Sequence, residues 1–169
     1  MTKTEMTELF AVMSLAWPQA EMFRGGVDKL GPTIALWTAC LQDLDAWTAQ
    51  KAMVKLCREC KFPPAIAELR EAAERVNAEI EGEVHTAYLY ARNAVMLAET
   101  RGETLEQVYR ELPTRSRKVI DALGGMEAFA PSDKPMFNMH GFTETYERML
   151  RSNPAGLPGA GSGRKQLGE

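Results

Sequence analysis

Histidine is nearly absent from this chain. With only His85 and His140, each lacking an obvious acid or nucleophile beside it, no serine-histidine-acid arrangement can be laid out. Cysteine is scarce and odd in number, Cys40, Cys57 and Cys60, which suits a reducing compartment better than a disulfide framework. The Cys57-Arg58-Glu59-Cys60 spacing invites a metal or redox reading. A structural zinc site, however, needs four ligands, and there is no second cysteine pair to supply them. Redox pairs of this spacing open a helix, whose N-terminus lowers the thiol pKa, whereas this pair closes one. The reading that follows is no catalytic residue, no metal site and no cofactor, with the two thiols packed on an apolar face.

Other absences narrow the class further. Twenty basic residues against twenty-three acidic ones leave a net charge of -3, so no overall positive field holds nucleic acid or an anionic membrane, and any DNA contact has to be local. No apolar run approaches the ~18 residues of a membrane span, and Met1 to Thr7 is too polar for a secretory signal. The expected compartment is the cytoplasm, with no membrane partner. The run Gly159-Ala160-Gly161-Ser162-Gly163-Arg164-Lys165 imitates a phosphate-binding loop but lacks its order: Arg164 separates glycine from lysine, and Gln166 stands where a magnesium-binding hydroxyl belongs. No stretch alternates apolar and polar residues with period two, which excludes an ordinary half-buried strand.

What is present is helical spacing. Met6, Leu9, Phe10, Met13 and Trp17 fall on one face of a helix ended by Pro18. After a glycine-containing connector, a second helix starts near Pro32 or Thr33 with a stripe of Ile34, Trp37, Leu41 and Leu44. Asp43 or Asp45 caps a third, whose inward candidates are Trp47, Val54, Leu56 and Cys57. Phe62-Pro63-Pro64 breaks that helix and starts a fourth. Ile66, Leu69, Ala73, Val76 and Ile80, then Val84, Ala87, Ala91, Ala94 and Ala98, alternate by three and four residues, giving one long helix or two joined at Gly82 and ending near Gly102. Thr104 caps a short amphipathic helix stopped by Pro113, and another runs from Thr114 to Gly124-Gly125. Residues 131 to 141 read as a loop, Phe142 to Leu150 as a last helix, and the glycine- and proline-rich residues 153 to 169 as a flexible tail. The expected fold is all-α: an N-terminal helical domain over residues 1–80, a helical region over 81–152 joined to it by the long helix, and the tail.

Two clusters are candidates for contact with other molecules. Arg115, Arg117 and Lys118 form the densest basic patch, fit for a weak nucleic-acid contact or for an ordinary solvated face, since Glu111 and Asp121 flank them. Phe142, Tyr146, Met149 and Leu150 make an apolar set near the flexible end, suited either to a partner's groove or to docking on the protein's own core. The first-third aromatics, Phe10, Trp17, Trp37, Trp47 and Phe62, read as core.

Phe10 and Met13, Trp17-Pro18, the Trp37-x-x-x-Leu41-x-Asp43 segment, Trp47, and above all Lys61-Phe62-Pro63-Pro64-Ala65-Ile66-Ala67-Glu68-Leu69 resemble the N-terminal domain of the phage replicative helicase loader and inhibitor family. There an aromatic-proline pair closes the first helix and a Phe-Pro-Pro step leads into a helix beginning Ile-Ala-Glu. The resemblance covers roughly Leu9 to Arg70. It implies a non-enzymatic adaptor of a bacterial host's cytoplasm that binds the hexameric replicative helicase, holds it inactive and delivers it to initiator protein at the origin. The family's helicase contact is associated with its flexible C-terminal part, which carried onto this chain points to Phe142, Tyr146, Met149, Leu150 and the tail. The competing expectations are a phage DNA-binding replication or packaging protein, using the helices around Arg115 to Lys118 in helix-turn-helix fashion, and a structural or assembly chaperone.

Overall fold

The computed structural model describes residues 1–130 and 137–152. Among them there is no strand: the fold is all-α, with helices α1 (Lys3–Ala16), α2 (Gly31–Cys40), α3 (Ala46–Glu59), α4 (Ile66–Arg101), α5 (Leu105–Glu111), α6 (Thr114–Ala122), α7 (Met126–Phe129) and α8 (Met139–Ser152). None of the described helices is long and apolar enough to cross a membrane. The chain forms two compact units, Met1–Glu79 and the part from Ile80 onward, and α4 runs through the boundary as one uninterrupted helix.

In the first unit, α1 is nucleated by a capping box. The Thr2 hydroxyl accepts from the Glu5 N–H while the Glu5 carboxylate accepts from the Thr2 N–H at 2.7 Å, which satisfies two donors that a helix N-terminus otherwise leaves open. Its apolar face buries Met6, Leu9, Phe10 and Met13 against α2 and α3. Phe10 meets the Trp37 ring edge-on at 5.2 Å between centroids, the arrangement that the ring quadrupoles favour. Asp45, not Asp43, caps α3, its carboxylate accepting from the Thr48 N–H at 2.9 Å. Asp43 is instead held by the Arg70 guanidinium at 2.6 and 3.0 Å, and the same guanidinium donates to the Cys40 carbonyl.

Two expectations for the core need correcting. On α3 the inward face is Thr48, Ala49, Ala52, Met53 and Leu56, while Trp47, Val54 and Cys57 are only half-buried. Alanines at the closest approach let α3 press against α1, and larger side chains on that line would hold the helices apart. Phe62, expected in the core, is 71% exposed. The prolines that follow Phe62 force its backbone out of helical conformation, and the ring is left outside while its neighbour Pro64 is buried.

In the second unit, α4 carries Ile80, Val84, Tyr88, Ala91 and Ala98 inward. Gly102, at φ +67°, turns the chain out of α4, and the Glu103 N–H reaches back to the Ala98 carbonyl at 2.9 Å; a left-handed residue here is what glycine permits at no steric cost. Thr104 and Gln107 form a second capping box at the start of α5, and Pro113 separates α5 from α6. The short helix α7 was not legible in the sequence, yet it places Phe129 at zero exposure. Helix α8 begins at Met139, three residues before the expected start, because the Asn138 side chain accepts from the Gly141 N–H at 2.9 Å and caps it. The expected loop over 131–136 and the expected tail over 153–169 lie outside the described residues.

Candidate functional site

Helix α8 enters its unit through aromatic side chains. Phe142 and Tyr146, one turn apart, point inward with exposures of 0% and 5%. Phe142 lies 5.3 Å from the Phe129 ring, 5.9 Å from Tyr88 and 5.8 Å from Tyr146, and Phe137 closes the group at 5.5 Å from Phe129. Such tilted and edge-on contacts add to the simple burial of aromatic area. Met149 and Leu150, on the following turns, are half-exposed, and Met139 at the start of the helix is 46% exposed. The four residues picked out on this helix therefore divide: Phe142 and Tyr146 are docked on the unit's own core, and Met149 and Leu150 are within reach of another molecule.

A polar cluster fixes the helix from its other side. The Tyr146 hydroxyl donates to a Glu83 oxygen at 3.2 Å, and the Arg115 guanidinium donates to the same oxygen at 2.5 Å. Arg115 also stacks over the Tyr146 ring at 5.7 Å. One carboxylate on α4 thus ties α6 to α8. Burial, together with the Glu83 charge, pushes the Tyr146 phenol above its ordinary pKa, with Arg115 opposing; burial and a neighbouring negative charge both disfavour the phenolate.

The basic patch is largely engaged within the protein. Arg115 is paired with Glu83, and Arg110 on α5 is paired with Glu106 one turn earlier. Arg117 is half-buried and donates to the Thr114 hydroxyl at 3.3 Å. Lys118 is exposed. On the opposite flank, the Tyr109 hydroxyl donates to the Asp121 carboxylate at 2.7 Å, which raises the Tyr109 pKa. Two short helices joined through Leu112 and Pro113 have the outline of a helix-turn-helix, but Arg115 lies on a face already tied to a carboxylate.

In the first unit, the residues that carried the family resemblance are brought together. The Trp17 indole N–H donates to the Cys60 carbonyl at 3.3 Å, joining the end of α1 to the segment that leads through Phe62-Pro63-Pro64 into α4. The α4 end is capped in turn by Glu68, whose carboxylate accepts from the Ala65 N–H at 2.6 Å. Cys57 and Cys60 are half-buried, and burial raises the Cys57 thiol pKa, followed by the proximity of Cys60. A raised pKa is the opposite of what a reactive thiolate needs.

The first unit is an all-helical domain whose sequence signature lies in two proline-bounded helix ends. Residues 1–70 match the family model for the N-terminal domain of a phage helicase loader and inhibitor; this stretch of the chain carries a domain of that family. No curated protein and no solved structure matches the chain.

Proposed function

We propose that the protein is a non-enzymatic adaptor of phage or prophage DNA replication that binds the hexameric replicative helicase, holds it inactive and delivers it to the origin, where initiator protein is a further partner. The observation that carries this reading is the family match over residues 1–70, which includes the Trp17-Pro18 and Phe62-Pro63-Pro64 signature. Helix α8 is the proposed helicase contact. Phe142 and Tyr146 act from inside, anchoring the helix in its unit, while Met149 and Leu150 provide the apolar surface offered to the helicase, with the glycine- and proline-rich residues 153–169 continuing it. A contact of this size, with a segment that loses freedom when it binds, has modest affinity, and modest affinity allows release after delivery.

The test is size-exclusion chromatography with light scattering of the full chain mixed with the host's helicase, with and without a non-hydrolysable ATP analogue. A stoichiometric, nucleotide-sensitive complex is expected. Exchanging both exposed residues, Met149→Asp with Leu150→Asp, should weaken it at least tenfold without unfolding the protein, since neither side chain is a core residue. Undiminished binding by that variant would move the contact to the unit Met1–Glu79. No complex in either nucleotide state would overturn the helicase reading.

A further inference from the structure

The two most exposed large apolar side chains of the described residues, Leu15 at 78% and Phe62 at 71%, both belong to the unit Met1–Glu79. Phe62 lines an open groove of about 310 Å³ whose walls are Ala16, Trp17, Pro18 and Gln19 on one side and Lys61, Phe62 and Pro63 on the other. The walls are rigid for chemical reasons. Each contains a proline with a fixed φ, and the Trp17 indole hydrogen bond to the Cys60 carbonyl clips one wall to the other. A groove that is already formed spares a ligand the cost of ordering it. Phe62 also has no internal role that would explain a large ring standing in water, where exposing apolar area is unfavourable.

Charge decides what fits there. Lys61 is the one charged residue of the lining, with its ammonium group over the Phe62 ring at 5.6 Å. Arg58, exposed near the end of α3, adds a second cation, and neither forms an ion pair among the described residues. The acid next to Arg58, Glu59, faces Arg75 at 4.0 Å, and Glu21 follows the last residue of the opposite wall, Ala20, in sequence. The chain's own residues 153–169 carry Arg164 and Lys165 against Glu169 alone, so their charge opposes this site. A second copy docked by a two-fold contact would set Lys61 and Arg58 against themselves. We propose that this groove binds an extended segment of another protein in which apolar or proline residues lie beside acidic ones. Apolar side chains sit between the Trp17-Pro18 and Phe62-Pro63 walls, as aromatic- and proline-lined grooves take extended chains, and carboxylates meet Lys61 and Arg58.

The proposal is tested on the full-length protein with a capped decapeptide of glutamate interspersed with leucine, phenylalanine and proline, and with its counterpart carrying lysine at each glutamate. Two-dimensional NMR follows the Trp17 indole N–H and the amides of Lys61 and Phe62. The acidic peptide should move these resonances saturably, at least about tenfold more tightly than the basic one. Phe62→Ala and Lys61→Glu should each weaken it about tenfold or more while the melting temperature is retained, because both side chains point into solvent. Equal binding of the two peptides, no binding at millimolar concentration, or undiminished binding to both variants would overturn the proposal. So would movement of the same resonances on dilution or on removal of residues 153–169, which would assign the groove to a second copy or to the chain's own end. Because the readout is confined to the first unit, its failure leaves the helicase contact through α8 untouched.

Discussion

Glu83 shows how much a single side chain organises. Its carboxylate is the common acceptor for the Tyr146 hydroxyl and the Arg115 guanidinium, so its loss leaves two donors without a partner. Tyr146→Phe removes only one of these bonds and keeps the ring in the aromatic cluster; it should cost about 1 kcal/mol, the net worth of one hydrogen bond, read as a lower midpoint in chemical denaturation. The same tyrosine sets a pH dependence. Its pKa is raised in the fold, first by burial, and that of Tyr109 by its bond to Asp121. Above the ordinary tyrosine value of 10.0 the unfolded chain gives up these protons before the folded one does, so the unfolded state binds fewer protons and stability falls as pH rises. Melting temperatures followed by circular dichroism should therefore hold below pH 10.0 and decline above it, and Tyr146→Phe should flatten part of the decline; an unchanged slope in that variant would remove Tyr146 from the account. At this scale the sequence was half-legible. Spacing placed Phe142 and Tyr146 on one helix face, but nothing local could indicate that Arg115 faces a carboxylate thirty-two residues earlier. A cation that reads as free in a sequence is free only until the fold supplies its partner.

At the scale of elements, α4 offers the clearest test. Gly82 sits in its interior, exposed, with open space where a Cβ would be, and the helix passes through it without a break. Glycine there costs folding entropy and contributes no contact, so Gly82→Ala should stabilise the protein by about 0.5–1 kcal/mol, raising the melting temperature; a fall would mean that the helix needs to bend at this point. The cap of α5 predicts the reverse. Thr104→Ala removes the acceptor for the Gln107 N–H and should cost about 1 kcal/mol, whereas Thr104→Ser should cost little. The helices with strong local signals were legible: Thr104 as a cap, Gly102 and Gly124-Gly125 as stops, Pro18 and Pro113 as breaks. What failed has a common cause. The inward face of α3 is built largely from alanines and a threonine, which hydrophobic spacing passes over in favour of Trp47 and Val54. One turn of helix in α7 is too short to show a period at all, and on α4 the stripe drawn through Ala87 hid Tyr88, the residue that meets Phe129 and Phe142.

For the molecule as a whole, the decisive question is which macromolecule it holds, and charge separates the two main answers. A net charge of -3 opposes any polyanion at long range, and the local basic patch has little left to offer once Arg115 and Arg110 are paired with Glu83 and Glu106. Each phosphate contact made by a free cation releases counterions and contributes a slope of about -0.9 to the dependence of log affinity on log salt. With Lys118 exposed and Arg117 half-buried, no more than about two such contacts are available, so DNA binding should be undetectable in gel shifts at physiological salt and micromolar protein, for single and double strands alike. Helicase binding, which the proposal rests on the apolar Met149 and Leu150, should by contrast survive in the same buffer and weaken little as salt is raised, because burying apolar surface is not screened. Measuring both titrations over one salt series tests the reading from two sides. A helicase complex that salt dissolves would replace the apolar contact with an electrostatic one, and a DNA complex with a slope steeper than about -2 would require cations beyond those the fold leaves free and would favour the DNA-binding alternative.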